Sequence, residues 1–414
     1  LETPFTNPQK TPQSIGPIID EVPFSSLYHL EEYEVPTPDG WTLKVTRYKP
    51  VPQNWHQPLL NIPLLLVHGF GQNRHAWTTG EFVKDMLYFG TDIHIVELRG
   101  HGKSSIAFQK EKSRKEKVPL PKNYAYGWDF DDYLAYDLPS TIEKVKEISG
   151  HSKIAYCGHS LGGIMGYALA GLRDDLLCLA TIGSPGVLGV ESPLFPLLAS
   201  LEPLIPLGQK TVMGIHTLYT YLKPILEKIP FSPRLPTKLP IHPEVFPLDL
   251  LLGGIYQTII GIHKTVPNLL PPTFRLFNPD KVRVEDIRWL LTVGEEREPI
   301  RVLRTIARWV RKKEIKAYRL GLDIQALFPR ITIPLTIIFG DQDIFAGLKS
   351  TRIVYEKVKS NYLVWRPVKG NSHIEITMGT DIRQICYDIK NLIEYSITHL
   401  NRSPRLPRHL PTSE

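Results

Sequence analysis

The chain has 414 residues, 42% of them hydrophobic, and a formal net charge of +7. That length fits one large domain with an insertion, or two domains, and the composition is that of a globular protein. The charge permits attraction to anionic surfaces but is no signature of nucleic-acid binding, so no nucleic-acid partner is expected.

Residues 1–28 are Pro- and polar-rich and read as a tail draped on the domain. Residue 1 is Leu, which reads as a trimmed or processed N-terminus and leaves room for a removed signal or anchor. Residues 31–50 read as a hairpin, two alternating runs around Pro36-Thr37-Pro38-Asp39-Gly40. A continuous apolar strand is predicted over 62–67, a helix over 82–88 and a strand over 93–98. The basic run 110–122 reads as a solvent-exposed loop. A helix over 133–148 places Leu134, Leu138, Ile142 and Val145 on one face. A strand over 153–157, a helix over 161–172 and a strand over 177–182 follow. This alternation predicts an α/β fold with a mostly parallel central sheet and helices on both faces.

The rhythm stops near residue 186 and resumes with a strand over 334–339, a helix over 346–359, a strand over 362–365 and a closing helix over 381–400. Residues 187–328 are Pro-rich and helical in pattern, without a strand period. They interrupt a sheet that is completed afterwards. The expected organisation is therefore a tail (1–28), a core in two parts (29–186 and 329–400), a large helical cap between them (187–328) and a second tail (401–414). Such a cap should lie over the C-terminal edge of the strands, where ligands bind in these sheets.

The longest apolar run, 250–262, is broken by Gln257 and Thr258 and is too short to span a bilayer, so a soluble or peripheral protein is expected. Arg301, Arg304, Arg308 and Arg311 fall on one helical face, with Val302, Ile306, Trp309 and Val310 towards another. That pattern admits peripheral membrane contact through the cap, or a solvated cap face. The apolar segments 193–198 and 267–272 suit either an acyl pocket or the cap's own core. Cys157, Cys178 and Cys386 show no disulfide framework or metal-ligand spacing and read as small buried thiols.

One motif carries chemistry. Gly158-His159-Ser160-Leu161-Gly162 follows the predicted strand and opens the predicted helix. Gly-x-Ser-x-Gly arises by chance about 0.1 times in a chain this long, so context decides. Strand, sharp turn and helix are the setting in which a serine is exposed as a nucleophile. A serine hydroxyl needs a base, and the base needs an orienting group. The resumed sheet supplies both in order: Gly340-Asp341-Gln342-Asp343 after one strand and Gly370-Asn371-Ser372-His373 after the next. Taken singly, Asp343 also reads as a helix N-cap and His373 as a loop histidine. Jointly, Ser160, Asp343 and His373 form the expected triad, with Asp341 as competitor for the acid. Asp343 is favoured because it lies further past the strand. An oxyanion hole needs two backbone N–H groups. They are assigned to Leu161, directly after the serine, and to Phe70 in the His68-Gly69-Phe70-Gly71 loop.

These stretches, with Arg99-Gly100-His101-Gly102, resemble the α/β-hydrolase superfamily. Tyr126-Gly127-Trp128-Asp129-Phe130-Asp131-Asp132, leading into Tyr136-Asp137-Leu138-Pro139, is similar to the segment before the serine turn in acid lipases. His373-Ile374-Glu375-Ile376 resembles their His-Leu-Asp-Phe segment, while Leu161 stands where they usually carry Gln. The resemblance covers about 60–185 and 330–398 and implies an α/β-hydrolase fold and serine esterase or lipase chemistry. The expected function is cleavage of a carboxylic ester with an apolar acyl or alcohol group, through an acyl-enzyme. The expected partner is a small-molecule or lipid ester, and no cofactor or metal is implied. An epoxide hydrolase or dehalogenase would need a carboxylate at position 160. Two alternatives stay open: an acyltransferase using the same triad with a non-water acceptor, and a non-catalytic binding protein on a hydrolase fold.

Overall fold

The computed structural model describes residues 23–54, 59–200, 202–207, 209–211, 213–214, 244–246 and 276–400. The hairpin is present as β1 (Tyr28–Pro36) and β2 (Thr42–Pro50). Its turn is closed by Thr37, whose hydroxyl donates to Asp39 and accepts from the Trp41 N–H. The other strands of the main sheet are β3 (Pro63–Val67), β4 (Asp92–Glu97), β5 (Ile154–His159), β6 (Leu176–Ile182), β7 (Leu335–Gly340) and β8 (Leu363–Val368). Their spatial order is β1-β2-β4-β3-β5-β6-β7-β8. Strands β3 to β8 pair in parallel, and the hairpin joins antiparallel through β2 and β4.

Successive side chains of a strand face opposite ways, and here each way meets its own core. Leu65, Val67 and Tyr156 pack on one face with Leu138 and Ile142; Leu64, Leu66, Ala155 and Cys157 pack on the other with Met86 and Ile389. The first face is covered by α3 (Leu138–Ser149) and α4 (Leu161–Leu172), the second by α1 (Phe82–Tyr88) and α7 (Ile382–Leu400). Burial on both sides is why these strands read as unbroken apolar runs. The predicted one-sided face holds: Leu134, Leu138, Ile142 and Val145 are all buried. The helix itself is less regular than predicted. It opens as a short turn over Phe130–Asp132, capped by Asp129, and passes through a π turn over Tyr133–Asp137 before α3.

The basic run 110–122 is not a loop throughout. Residues Ile106–Glu116 form a helix, α2. Its start is capped by the Ser105 hydroxyl, and Lys112–Glu116 and Lys115–Glu111 pair one turn apart. A helix held by local pairs in solvent needs no apolar stripe, so the pattern that reveals helices was missing.

Strand β6 pairs with β7, so the chain leaves the sheet and returns to the adjacent position. The intervening segment is not purely helical. Val245–Phe246 pairs with Glu298–Pro299, and Lys316–Ala317 with Leu322–Asp323. The arginine-bearing helix α5 (Ile300–Lys312) buries Val302, Trp309 and Val310. The Trp309 ring meets Phe130 edge-on at 4.7 Å. Its arginines are partly engaged within the protein: Arg304 and Arg311 pair with Glu202, and Arg308 lies 4.6 Å from the Tyr318 ring. A short helix covers Leu194–Ala199 within the apolar segment 193–198. The apolar segments 250–262 and 267–272, most of the first tail and the second tail lie outside the described residues. The helix α6 (Leu348–Lys357) completes the set. Among the described residues no helix is long and apolar enough to cross a membrane. The three cysteines are buried free thiols.

Candidate active site

Strand β5 ends in a backbone that only a tight turn tolerates. Ser160 sits at φ 51°, ψ −116°, a region costly for a residue with a side chain. The flanking glycines are sterically required. A Cβ on Gly158 would lie 2.4 Å from the Gly162 carbonyl carbon, and one on Gly162 would lie 2.3 Å from the Val67 oxygen. The turn therefore presses against the end of β3 and projects the serine from the start of α4.

The three residues singled out in the sequence meet there. His373 Nε2 is 2.9 Å from Ser160 Oγ, and His373 Nδ1 is 2.8 Å from Asp343 Oδ2. The other Asp343 oxygen accepts the Phe345 and Ala346 N–H groups at 2.8 and 2.9 Å. Asp343 is thus both the partner of the imidazole and the cap of the following turn; its two readings are compatible. Asp341 is exposed and accepts the Gly370 N–H instead. Such an arrangement lets an imidazole draw off a hydroxyl proton while the carboxylate fixes its tautomer.

The loop after β3 passes beside the serine: a Cβ on Gly69 would come within 3.0 Å of Ser160 Cβ. The N–H groups of Phe70 and Leu161 have no hydrogen-bond partner among the described residues. Two residues without a sequence-assigned role tie these loops together. Gln72 Oε1 accepts the Gly69 N–H at 3.0 Å and lies 2.9 Å from His159 Nδ1. His159 Nε2 lies 3.1 Å from the His373 carbonyl oxygen. Burial, and then the neighbouring His373, push the His159 pKa down to about 3. His68 is held near 3 by burial and by His101. Glu375 braces the histidine loop by accepting the Ser372 and Asn278 N–H groups, and burial raises its pKa to about 8. The buried Arg99 is clasped by Asp137 and Asp39, which joins two of the motifs quoted above. Only motif membership flagged His159, Arg99 and Asp137 in the sequence; nothing flagged Gln72. Among the described residues no group of His, Cys, Asp or Glu could hold a metal ion.

The family profile described as alpha/beta hydrolase fold matches residues 62–204, the stretch that carries the serine turn. The chain has the α/β-hydrolase fold. It is 23% identical to the tear acid lipase-like protein of Mesocricetus auratus, over 90% of this chain and 89% of that one. It is 27% identical to triacylglycerol lipase 2 of Arabidopsis thaliana, over 87% of this chain and 83% of the relative. The solved structure of DcsB with its substrate analogue superimposes with a TM-score of 0.52 at 13% identity, covering 89% of this chain and 100% of the other. At that identity the structural likeness speaks for the fold alone. Both sequence relatives carry names of lipases.

Proposed function

We propose that this α/β-hydrolase cleaves carboxylic esters with an apolar acyl or alcohol group, through a serine-bound acyl intermediate. The observation that carries the proposal is the continuous chain Ser160 Oγ, His373 Nε2, His373 Nδ1 and Asp343 Oδ2, with steps of 2.9 and 2.8 Å. In this reading Ser160 Oγ attacks the ester carbonyl carbon while His373 Nε2 takes its proton. The resulting oxyanion is held by the Phe70 and Leu161 N–H groups. Collapse breaks the C–O bond, and the alcohol leaves with the proton from His373. Water then gives a proton to His373 and attacks the acyl carbon; the bond from Ser160 Oγ to that carbon breaks, His373 returns the proton to Oγ, and the acid is released. Lipid esters named for the relatives' activity fit this chemistry, as in triacylglycerol lipase 2.

Residues 187–328 act in this reading as a cap over the mouth of the site. Two aromatic rings support an apolar pocket: Phe345 lies 4.6 Å from the His373 ring, and Phe195 of the cap lies 4.2 Å from Phe345. Each methylene of an acyl chain buried there contributes about 0.8 kcal/mol. The test is a panel of p-nitrophenyl esters from acetyl to octanoyl with the native protein and Ser160→Ala. kcat/KM should climb with chain length in the native protein, and Ser160→Ala should be near background throughout. Comparable turnover by purified Ser160→Ala would refute the mechanism, and equal rates for acetyl and octanoyl would refute the apolar pocket.

A further inference from the structure

Part of the segment inserted between β6 and β7 reaches back to the loop that passes beside the serine. The Asn73 N–H donates to the Gly294 carbonyl at 3.1 Å, and the Glu296 N–H donates to the Gly71 carbonyl at 2.6 Å. Between them Gln72 and Glu295 form an antiparallel bridge. Just beyond, Glu298 is 1% exposed and turns its carboxylate inward. Oε1 accepts the Gly71 N–H at 2.7 Å and lies 3.1 Å from His101 Nε2; Oε2 accepts the Tyr133 hydroxyl at 3.3 Å. His101 Nδ1 lies 2.9 Å from the Arg99 carbonyl oxygen, so both ring nitrogens face acceptors, as an imidazolium requires. Burial lowers the His101 pKa, but Glu298 and then Glu296 outweigh it and raise the value to about 9.

The consequence is local to the loop after β3. The Gly69 N–H is held by Gln72 Oε1 and the Gly71 N–H by Glu298 Oε1. The Phe70 N–H between them has no partner among the described residues. Fixing the peptides on either side sets the direction in which the middle one points. Carboxylate-to-N–H bonds are short and strong in a buried setting, which makes Glu298 the firmer of the two clamps.

We propose that Glu298 is a positioning residue for the reaction: reaching in from the inserted segment, it clamps Gly71 so that the Phe70 N–H is aimed at the oxyanion formed at Ser160. This rests on the serine-hydrolase reading above. It makes the inserted segment part of the catalytic geometry as well as a cover.

The test uses Glu298→Gln and Glu298→Asp in the full chain. Gln keeps an oxygen for Gly71 but loses the charge opposite His101. Asp keeps the charge but is one methylene short, and it protects against a charge-loss variant that does not fold. Active sites are counted with a fluorophosphonate, so that kcat is per competent serine. A misplacement of about 1 Å costs on the order of 10²-fold, so kcat should fall about 10- to 100-fold with KM within about threefold. Inhibition by an octyl trifluoromethyl ketone, which places an oxyanion in the same hole, should weaken by the same factor. A merely structural role would lower the melting temperature while leaving kcat per titrated serine and ketone affinity at native values; that result in either folded variant overturns the proposal. If the native protein itself neither turns over esters nor takes up fluorophosphonate, the serine-hydrolase reading fails and this proposal falls with it.

Discussion

Replacing Asp343 by Asn isolates the orienting carboxylate from everything else in the site. The native side chain accepts three hydrogens: two backbone N–H groups, from Phe345 and Ala346, on Oδ1, and the imidazole Nδ1–H on Oδ2. An amide of the same shape has one acceptor oxygen and one donor nitrogen. The two backbone donors require the oxygen on their side, which leaves the NH2 group facing His373 Nδ1. That nitrogen must then be the bare one, and the proton moves to Nε2, opposite Ser160 Oγ. The imidazole can no longer accept the serine proton. The corresponding change in a serine protease costs about 10⁴ in kcat, or about 5.4 kcal/mol of transition-state stabilisation. Asp343→Asn should therefore fall by about that factor with its fold intact, because the two backbone hydrogen bonds survive. Asp341→Asn is the control. Asp341 is exposed and, among the described residues, its carboxylate bonds only the Gly370 N–H, so the change should stay within about 0.5 kcal/mol in both stability and activation free energy. The assay is ester turnover normalised to titrated serine, with circular dichroism on both variants. An Asp343→Asn protein within tenfold of native, or inactivation by Asp341→Asn instead, would refute the reasoning.

Two further outcomes concern stability. Asp137→Asn leaves the buried Arg99 guanidinium with Asp39 as its remaining carboxylate, so urea unfolding should show a loss towards the lower end of the 3–5 kcal/mol typical of broken buried pairs, about 3 kcal/mol; a loss under about 1 kcal/mol would mean that Asp39 alone suffices. Glu375 has its pKa raised by burial from 4.5 to about 8, so the folded protein holds more protons than the unfolded chain between those values and loses stability as pH rises through that window. Glu375→Gln does not titrate and keeps an oxygen for the Ser372 and Asn278 N–H groups, so its melting temperature should gain on the native protein between pH 5 and pH 9; parallel curves would count against a buried, protonated Glu375.

Sequence and structure divide the protein along a physical line. Strands β3, β5, β6 and β7 were legible because both of their faces are buried, which forces continuous apolar runs such as Leu64-Leu65-Leu66-Val67. Ser160 was legible because its turn excludes side chains at Gly158 and Gly162, and steric exclusion leaves glycine in the sequence. The histidine and the carboxylate were legible through chain order, each just past a strand. Helix α2 was not, because it has no apolar stripe: Ser105 caps its start, ion pairs run along its exposed side, and Gln109 ties it to the Thr42 backbone. The choice between Asp343 and Asp341 was argued from reach, and the geometry brings Asp343 to His373. The Gln72–His159 contact, the clasp of Asp39 and Asp137 on Arg99, and above all the Glu298 clamp on Gly71 belong to tertiary structure alone. Hydrogen bonds between polar groups far apart in the chain leave no period and no spacing. They exist only once the strands have brought those groups to the same end of the sheet.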